Sequence, residues 1–117
     1  MGTLLGRAGR DKSGRFEAKA QTRRVTLLEF WPDYGAGPLW TETGQPADLA
    51  ALGLDPALVG EASAWNSEYA EDKVPIEGHG DEAWLTKGRD LLMRLRAGLG
   101  PDYEVVVTEP WWGEEPR

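Results

Sequence analysis

Residues 81–108, DEAWLTKGRDLLMRLRAGLGPDYEVVVT, decide the fold. Trp84, Gly88, Leu91, Leu95 and Leu99 recur at spacings of three and four, with Leu85 and Leu92 widening the stripe, which is the period of an amphipathic helix. Asp81 and Glu82 suit the positive end of the helix dipole, and Arg94 and Arg96 the negative end. Gly98, Gly100 and Pro101 stop the helix. The period then changes: Tyr103, Val105 and Val107 share one face of a strand and Glu104, Val106 and Thr108 the other, until Glu109-Pro110 closes it. Gly88 lies inside the apolar stripe, which predicts that another element approaches closely there.

Upstream, Asp55 and Pro56 form a helix start, an N-cap followed by a proline whose missing N–H is not needed. Leu58, Ala62, Trp65 and Tyr69 give this helix its buried stripe, Gly60 weakens it slightly, and its end is expected near Ala70–Lys73, ahead of Val74-Pro75. Val25–Trp31 (VTLLEFW) reads as a strand with two largely apolar faces, hence central or covered on both sides. A Pro/Gly loop, PDYGAGP at 32–38, leads to a short second strand at Leu39–Glu42, a turn at Thr43-Gly44 and a single helical turn at Asp48–Leu52. The order β-(β)-α-α-β gives an α+β or α/β fold. It is expected as a small two-layer sandwich, with two helices packed on a two- or three-stranded sheet and the principal strands able to run parallel. Such a thin sheet leaves edges and one face open, to be covered by Trp31, Trp40, Trp111 and Trp112 or by a second copy in a homodimer.

The charge is divided along the 117-residue chain. Residues 1–24 carry seven Lys/Arg against two acids, a net of +5, and residues 25–117 carry six against eighteen, a net of −12. The first segment is too poor in periodic apolar residues to offset its ordering entropy and reads as a disordered basic N-terminal tail; residues 25–117 read as one acidic domain. Val25 is also the residue that an alternative start codon would leave, which gives a second reading of residues 1–24 as translated upstream sequence. The tail lacks the apolar core of a secretory signal, and Gly6 stands where a myristoylation signal needs Ser or Thr. No apolar run approaches the ~18–20 residues of a membrane span, so the expected location is the cytoplasm. The absence of cysteine excludes disulfides, thiolate metal sites and a cysteine nucleophile, and one histidine excludes a His-rich metal cage.

Catalytic signals are weak. His79 sits in Gly78-His79-Gly80, where a solvated loop histidine is the plainer reading. Glu71-Asp72, Asp81-Glu82 and Glu114-Glu115 are pairs of the kind that chance supplies in an acidic chain, and read as solvated surface. Gly35-Ala36-Gly37 lacks the Gly-Lys-Ser/Thr of a phosphate loop, and Ser63 and Ser67 lie on a helix, outside any nucleophile elbow. No catalytic, metal-binding or cofactor-binding residue is assigned. The six tryptophans say more. Trp65 and Trp84 fall at core positions, whereas Trp31, Asp33, Tyr34, Trp40, Trp111 and Trp112 flank loops and are the candidate protein-binding residues, weighed against a role in capping the thin sheet.

The runs LLEFWPDYGAGPLWTETG, LGLDPALVGEASAWNSEY and DEAWLTKGRDLLMRLRAGLGPDYEVVV carry a Pro-Leu-Trp segment, a Leu-Gly-Leu helix start, a mid-helix Trp and a Leu-rich helix ending in Leu-Gly before a strand. Over residues 25–108 this resembles a family of small uncharacterised proteins of high-GC bacteria. The resemblance implies no activity, cofactor or site residue.

The function expected from these features is a non-enzymatic, acidic protein–protein interaction module, immunity-like or adaptor-like, steered to a basic partner. Two alternatives are a small enzyme using Asp33, Tyr34 and His79, and nucleic-acid contact through the basic tail, which the acidic body disfavours.

Overall fold

The computed structural model describes residues 24–117; the basic tail expected at residues 1–24 lies, but for Arg24, outside the described residues. Among the described residues the order is β1 (Thr26–Phe30), β2 (Leu39–Thr41), α1 (Pro56–Ser67), α2 (Glu82–Leu99) and β3 (Tyr103–Val107), with 3₁₀ turns at Leu49–Leu52, Glu71–Lys73 and Pro110–Trp112. The three strands form a mixed sheet in the order β2-β1-β3. β1 is central, antiparallel to β2 (Phe30 opposite Leu39) and parallel to β3 (Leu28 opposite Val105). The α1–α2 pair is the crossover that a parallel connection requires, so the expected α+β sandwich is the observed one.

Each helix starts where its sequence says. The Asp55 carboxylate accepts from Ala57 N–H, with Pro56 in the first turn, and Asp81 accepts from Trp84 N–H at 3.1 Å. α1 stops sooner than expected, at Ser67. Tyr69, the last member of its apolar stripe, lies beyond the helix, and the segment to Lys73 continues as a separate 3₁₀ turn. Here Glu68 N–H and Tyr69 N–H bond back to Trp65 and Asn66 carbonyls, three residues away, which tightens the chain out of the α-helix.

Leu28, Phe30, Leu39, Val105 and Val107 of the sheet meet Leu58, Ala62, Trp65, Trp84, Leu85, Leu91, Leu92 and Leu95 of the helices in one core. An aromatic cluster stands at its centre. Trp65 stacks on Trp84 with centroids 4.3 Å apart and on Phe30 at 5.6 Å. Each of the two indoles also donates to the other's main chain: Trp65 Nε1 to the Trp84 carbonyl at 2.8 Å, and Trp84 Nε1 to the Trp65 carbonyl at 3.1 Å. Trp112 closes the cluster edge-on to Phe30. Gly88 makes room for it, since a Cβ there would lie 2.5 Å from Trp65 Cζ2 and 2.8 Å from Trp112 Cζ3.

The outer sheet face is covered only in part as expected. Trp31 lies flat on Trp40 at 4.0 Å, and Trp40 Nε1 donates to the Trp31 carbonyl at 2.8 Å. Trp111 and Trp112 go elsewhere: the turn after β3 folds Trp112 back into the helix-side core, where it is 4% exposed, and Arg89 Nε holds the Trp111 carbonyl at 3.1 Å. The sheet edges are occupied by the chain itself. Ala47 N–H bonds to Leu39 C=O and Thr41 N–H to Gln45 C=O beside β2. Beside β3, Arg96 holds Val105 C=O at 2.6 Å and Arg117 N–H holds Val107 C=O at 2.8 Å. A homodimer through either edge meets these bonds first.

Across the helix pair, Arg94 grips Glu61 with both terminal nitrogens (3.1 and 2.8 Å) and Lys87 adds a third contact at 3.3 Å. These hydrogen bonds, Arg94's first, hold the Glu61 carboxyl at about 2, below its ordinary 4.5. Hydrogen bonds also lower Glu114, chiefly through Arg96, and Asp81, chiefly through Trp84 N–H. A lowered folded-state pKa means stabilisation that is whole above the unfolded value and lost as pH falls through the folded one. Glu61→Gln is therefore expected to lower the thermal midpoint at pH 7, and the gap to the parent should close between pH 4.5 and about 2. A gap unchanged at acid pH would contradict the pairing. Gly88→Leu should destabilise by about 1–3 kcal/mol through overpacking, measured by denaturant unfolding; a neutral result would contradict the close approach.

Candidate interaction surface

In a parallel β1–β3 pair, both strands deliver their following loops to the same end of the sheet, where α1 also ends and α2 begins. The loop after β1, residues 31–38, is fixed there by one buried side chain. Asn66, 6% exposed near the end of α1, donates through Nδ2 to the carbonyls of Asp33 (3.1 Å) and Ala36 (2.7 Å) and accepts at Oδ1 from Asp33 N–H (3.1 Å). An amide side chain with both donors and its acceptor used is a rigid tie in a low-dielectric place. Asp33 in turn accepts from Tyr34 N–H at 2.7 Å, so its carboxylate shapes the loop's own turn.

Tyr34 stands at the tip, 62% exposed, with its ring edge-on to Tyr69 at 4.9 Å. Tyr69 touches Trp84 behind it at 6.2 Å, so the surface tyrosine is backed by the core cluster. Burial pushes the Tyr69 hydroxyl up, and the nearby Tyr34, Asp33 and Glu71 push it further. That places Asp33, Tyr34, Tyr69 and Glu71 in one neighbourhood: an aromatic step with carboxylates beside it.

The six residues singled out from the sequence are thus divided by the fold. Asp33 and Tyr34 share the exposed loop. Trp31 is half-buried on the outer sheet face, over a buried Trp40; Trp111 is half-buried and Trp112 lies in the core. His79 is exposed on the loop after the second 3₁₀ turn, with no contact to Asp33 or Tyr34. Among the described residues no group of acids and histidine is arranged to hold a metal ion, and no helix is long and apolar enough to cross a membrane. Sequence reasoning missed Asn66 and Tyr69 as parts of this surface. Asn66 follows the buried Trp65 and so sits at the margin of the apolar stripe, where a polar residue near a helix end is a signal that it serves backbone from elsewhere.

Replacing Asn66 orphans one buried N–H and two carbonyls. Asn66→Ala should cost about 1–3 kcal/mol in denaturant unfolding and speed amide exchange at Asp33. Unchanged exchange at Asp33 would show that the tie does not hold the loop.

A family model described as Serratia CdiI immunity protein-like matches residues 26–110. No curated protein matches the chain. The match covers the stretch over which the sequence resembles small bacterial proteins, and it adds the class of function that the resemblance lacked. It begins at the first residue of β1 and runs through both helices and all three described strands to Pro110, so the chain belongs to the Serratia CdiI immunity protein-like family.

Proposed function

We propose that this chain is an immunity protein: it binds a toxin in the cytoplasm and neutralises it by occupation, without chemistry of its own. The observation that carries this reading is the Asn66-tied loop that presents Tyr34 at 62% exposure beside Asp33. An exposed aromatic on a pre-ordered backbone loses little entropy on binding, and tyrosine is enriched among binding hot spots. Family membership supplies the partner class. The net charge of −12 over residues 25–117 favours a basic toxin and speeds encounter with it. Of the candidate residues, Tyr34 and Asp33 make the central contact and Trp31 contributes at its margin. The enzymatic alternative has less support, because Asp33 is engaged with its own turn and His79 lies on a different loop.

The test is protection of cells. The partner captured by this chain, expressed alone, should arrest growth, and co-expression of the chain should restore it. Tyr34→Ala should weaken the complex at least about tenfold, and association should slow as salt rises. A harmless partner, or full protection by a Tyr34→Ala/Asp33→Asn double variant, would overturn the reading.

A further inference from the structure

Next to Tyr69 the chain makes a second feature that the Tyr34 loop does not use. Residues 74–80 form a loop whose neck is tied: Asp81 N–H bonds to Lys73 C=O at 2.9 Å, and Lys73 Nζ lies 3.3 Å from Asp81 Oδ2. Gly80 lies flat against the incoming backbone, where a Cβ would meet Lys73 O at 2.6 Å. Between this loop and the preceding 3₁₀ turn opens a cleft of about 410 Å³, lined by Glu71, Asp72, Glu77, Val74, Ile76 and Gly80 among others. Val74 is buried in its floor, and Ile76 is 63% exposed at its rim.

Two properties set this cleft apart. Its three carboxylates make no ion pair with any described residue, whereas Glu61, Asp81, Asp90, Glu104 and Glu114 are each paired with Lys or Arg. It also joins those carboxylates to an apolar floor and an exposed branched side chain, which solvated surface acids have no use for. A long cationic side chain has this same two-part character, an aliphatic stem with a charged head. The pair Glu71-Asp72, which reads in the sequence as plain solvated surface, gains a partner in Glu77 from the other wall.

We propose that this cleft is the receptor for an arginine side chain of the bound toxin, its stem on Val74 and Ile76 and its guanidinium among Glu71, Asp72 and Glu77. This rests on the toxin-binding reading above and adds the chemistry of a second contact. Arginine fits better than lysine because its planar fork serves two carboxylates at once and is more weakly hydrated. With Tyr34 on one side and the cleft on the other of Tyr69, the partner surface would carry an arginine near an apolar or cationic group that meets the exposed tyrosine.

The probe is a set of blocked tripeptides, Gly-Arg-Gly, Gly-Lys-Gly and Gly-Gln-Gly, titrated into the ¹⁵N-labelled full chain and followed by amide chemical shifts. The arginine peptide should move the amides of residues 71–80 most, more than the lysine peptide, and the glutamine peptide should move none of them. A Glu71→Gln/Glu77→Gln double variant should abolish the shifts, and Ile76→Ser should reduce them. All three replaced side chains are exposed, so an unchanged thermal midpoint is expected to accompany both variants. Arginine-induced shifts spread evenly over the acidic surface, shifts that survive the double variant, or no shifts at all would overturn the proposal. Since the peptides need no toxin, a protein that protects cells but ignores the arginine peptide disproves the cleft alone. One that binds the peptide but protects no cell disproves the immunity reading instead.

Discussion

The reciprocal pair of indole-to-carbonyl hydrogen bonds between Trp65 and Trp84 fixes where everything else can be. Two tryptophans stacked 4.3 Å apart, each giving its only N–H to the other's main chain, lock the last turns of α1 to the first turn of α2. Both donors and both carbonyls are buried, so losing one partner leaves an unpaired polar group inside, at about 1–3 kcal/mol, beyond the stacking itself. The residue after Trp65 is Asn66, which holds the 31–38 loop. The chain between Trp65 and Trp84 contains Tyr69, Glu71 and the tied 74–80 loop. The proposed binding surface is therefore laid out around one clamp in the core.

The distribution of charge follows the same plan. Where the helices face each other across Glu61 and Arg94, and where Arg96 joins Glu114 to β3, acids are matched to bases and serve cohesion. On the loops at the carboxyl end of the strands, acids outnumber bases and have no comparable partners. Surface pairs contribute little individually, so the matched set keeps the helix pair in register more than it stabilises the fold. The unmatched set produces an outward field that an oppositely charged protein can feel before contact.

Much of this was readable from residues 81–108 and 55–69. Helical period, Asp N-caps and a Gly-Pro stop are local signals, and they placed both helices, the final strand and the close approach at Gly88. The parallel β1–β3 pairing followed from chain length alone. What could not be read is what depends on three-dimensional return of the chain. Trp112 looks like a terminal surface residue, yet the turn at Pro110 sends it into a slot opened by Gly88. Asn66 looks like one more polar helix position, and only the folded loop reveals that it binds backbone about thirty residues away. The cleft is assembled from two turns whose acids, taken separately, resemble ordinary surface.

Native-state amide exchange in Trp84→Phe tests the clamp most directly, because phenylalanine keeps a ring at the site but removes the donor to the Trp65 carbonyl. Exchange should quicken at Asp33 N–H, which bonds to Asn66, and at Asp81 N–H, which closes the 74–80 neck, well beyond any change in the amides of β1 and β3. If the helix amides quicken while Asp33 and Asp81 keep their protection, the loops are ordered independently of the tryptophan pair and the account is wrong at its centre.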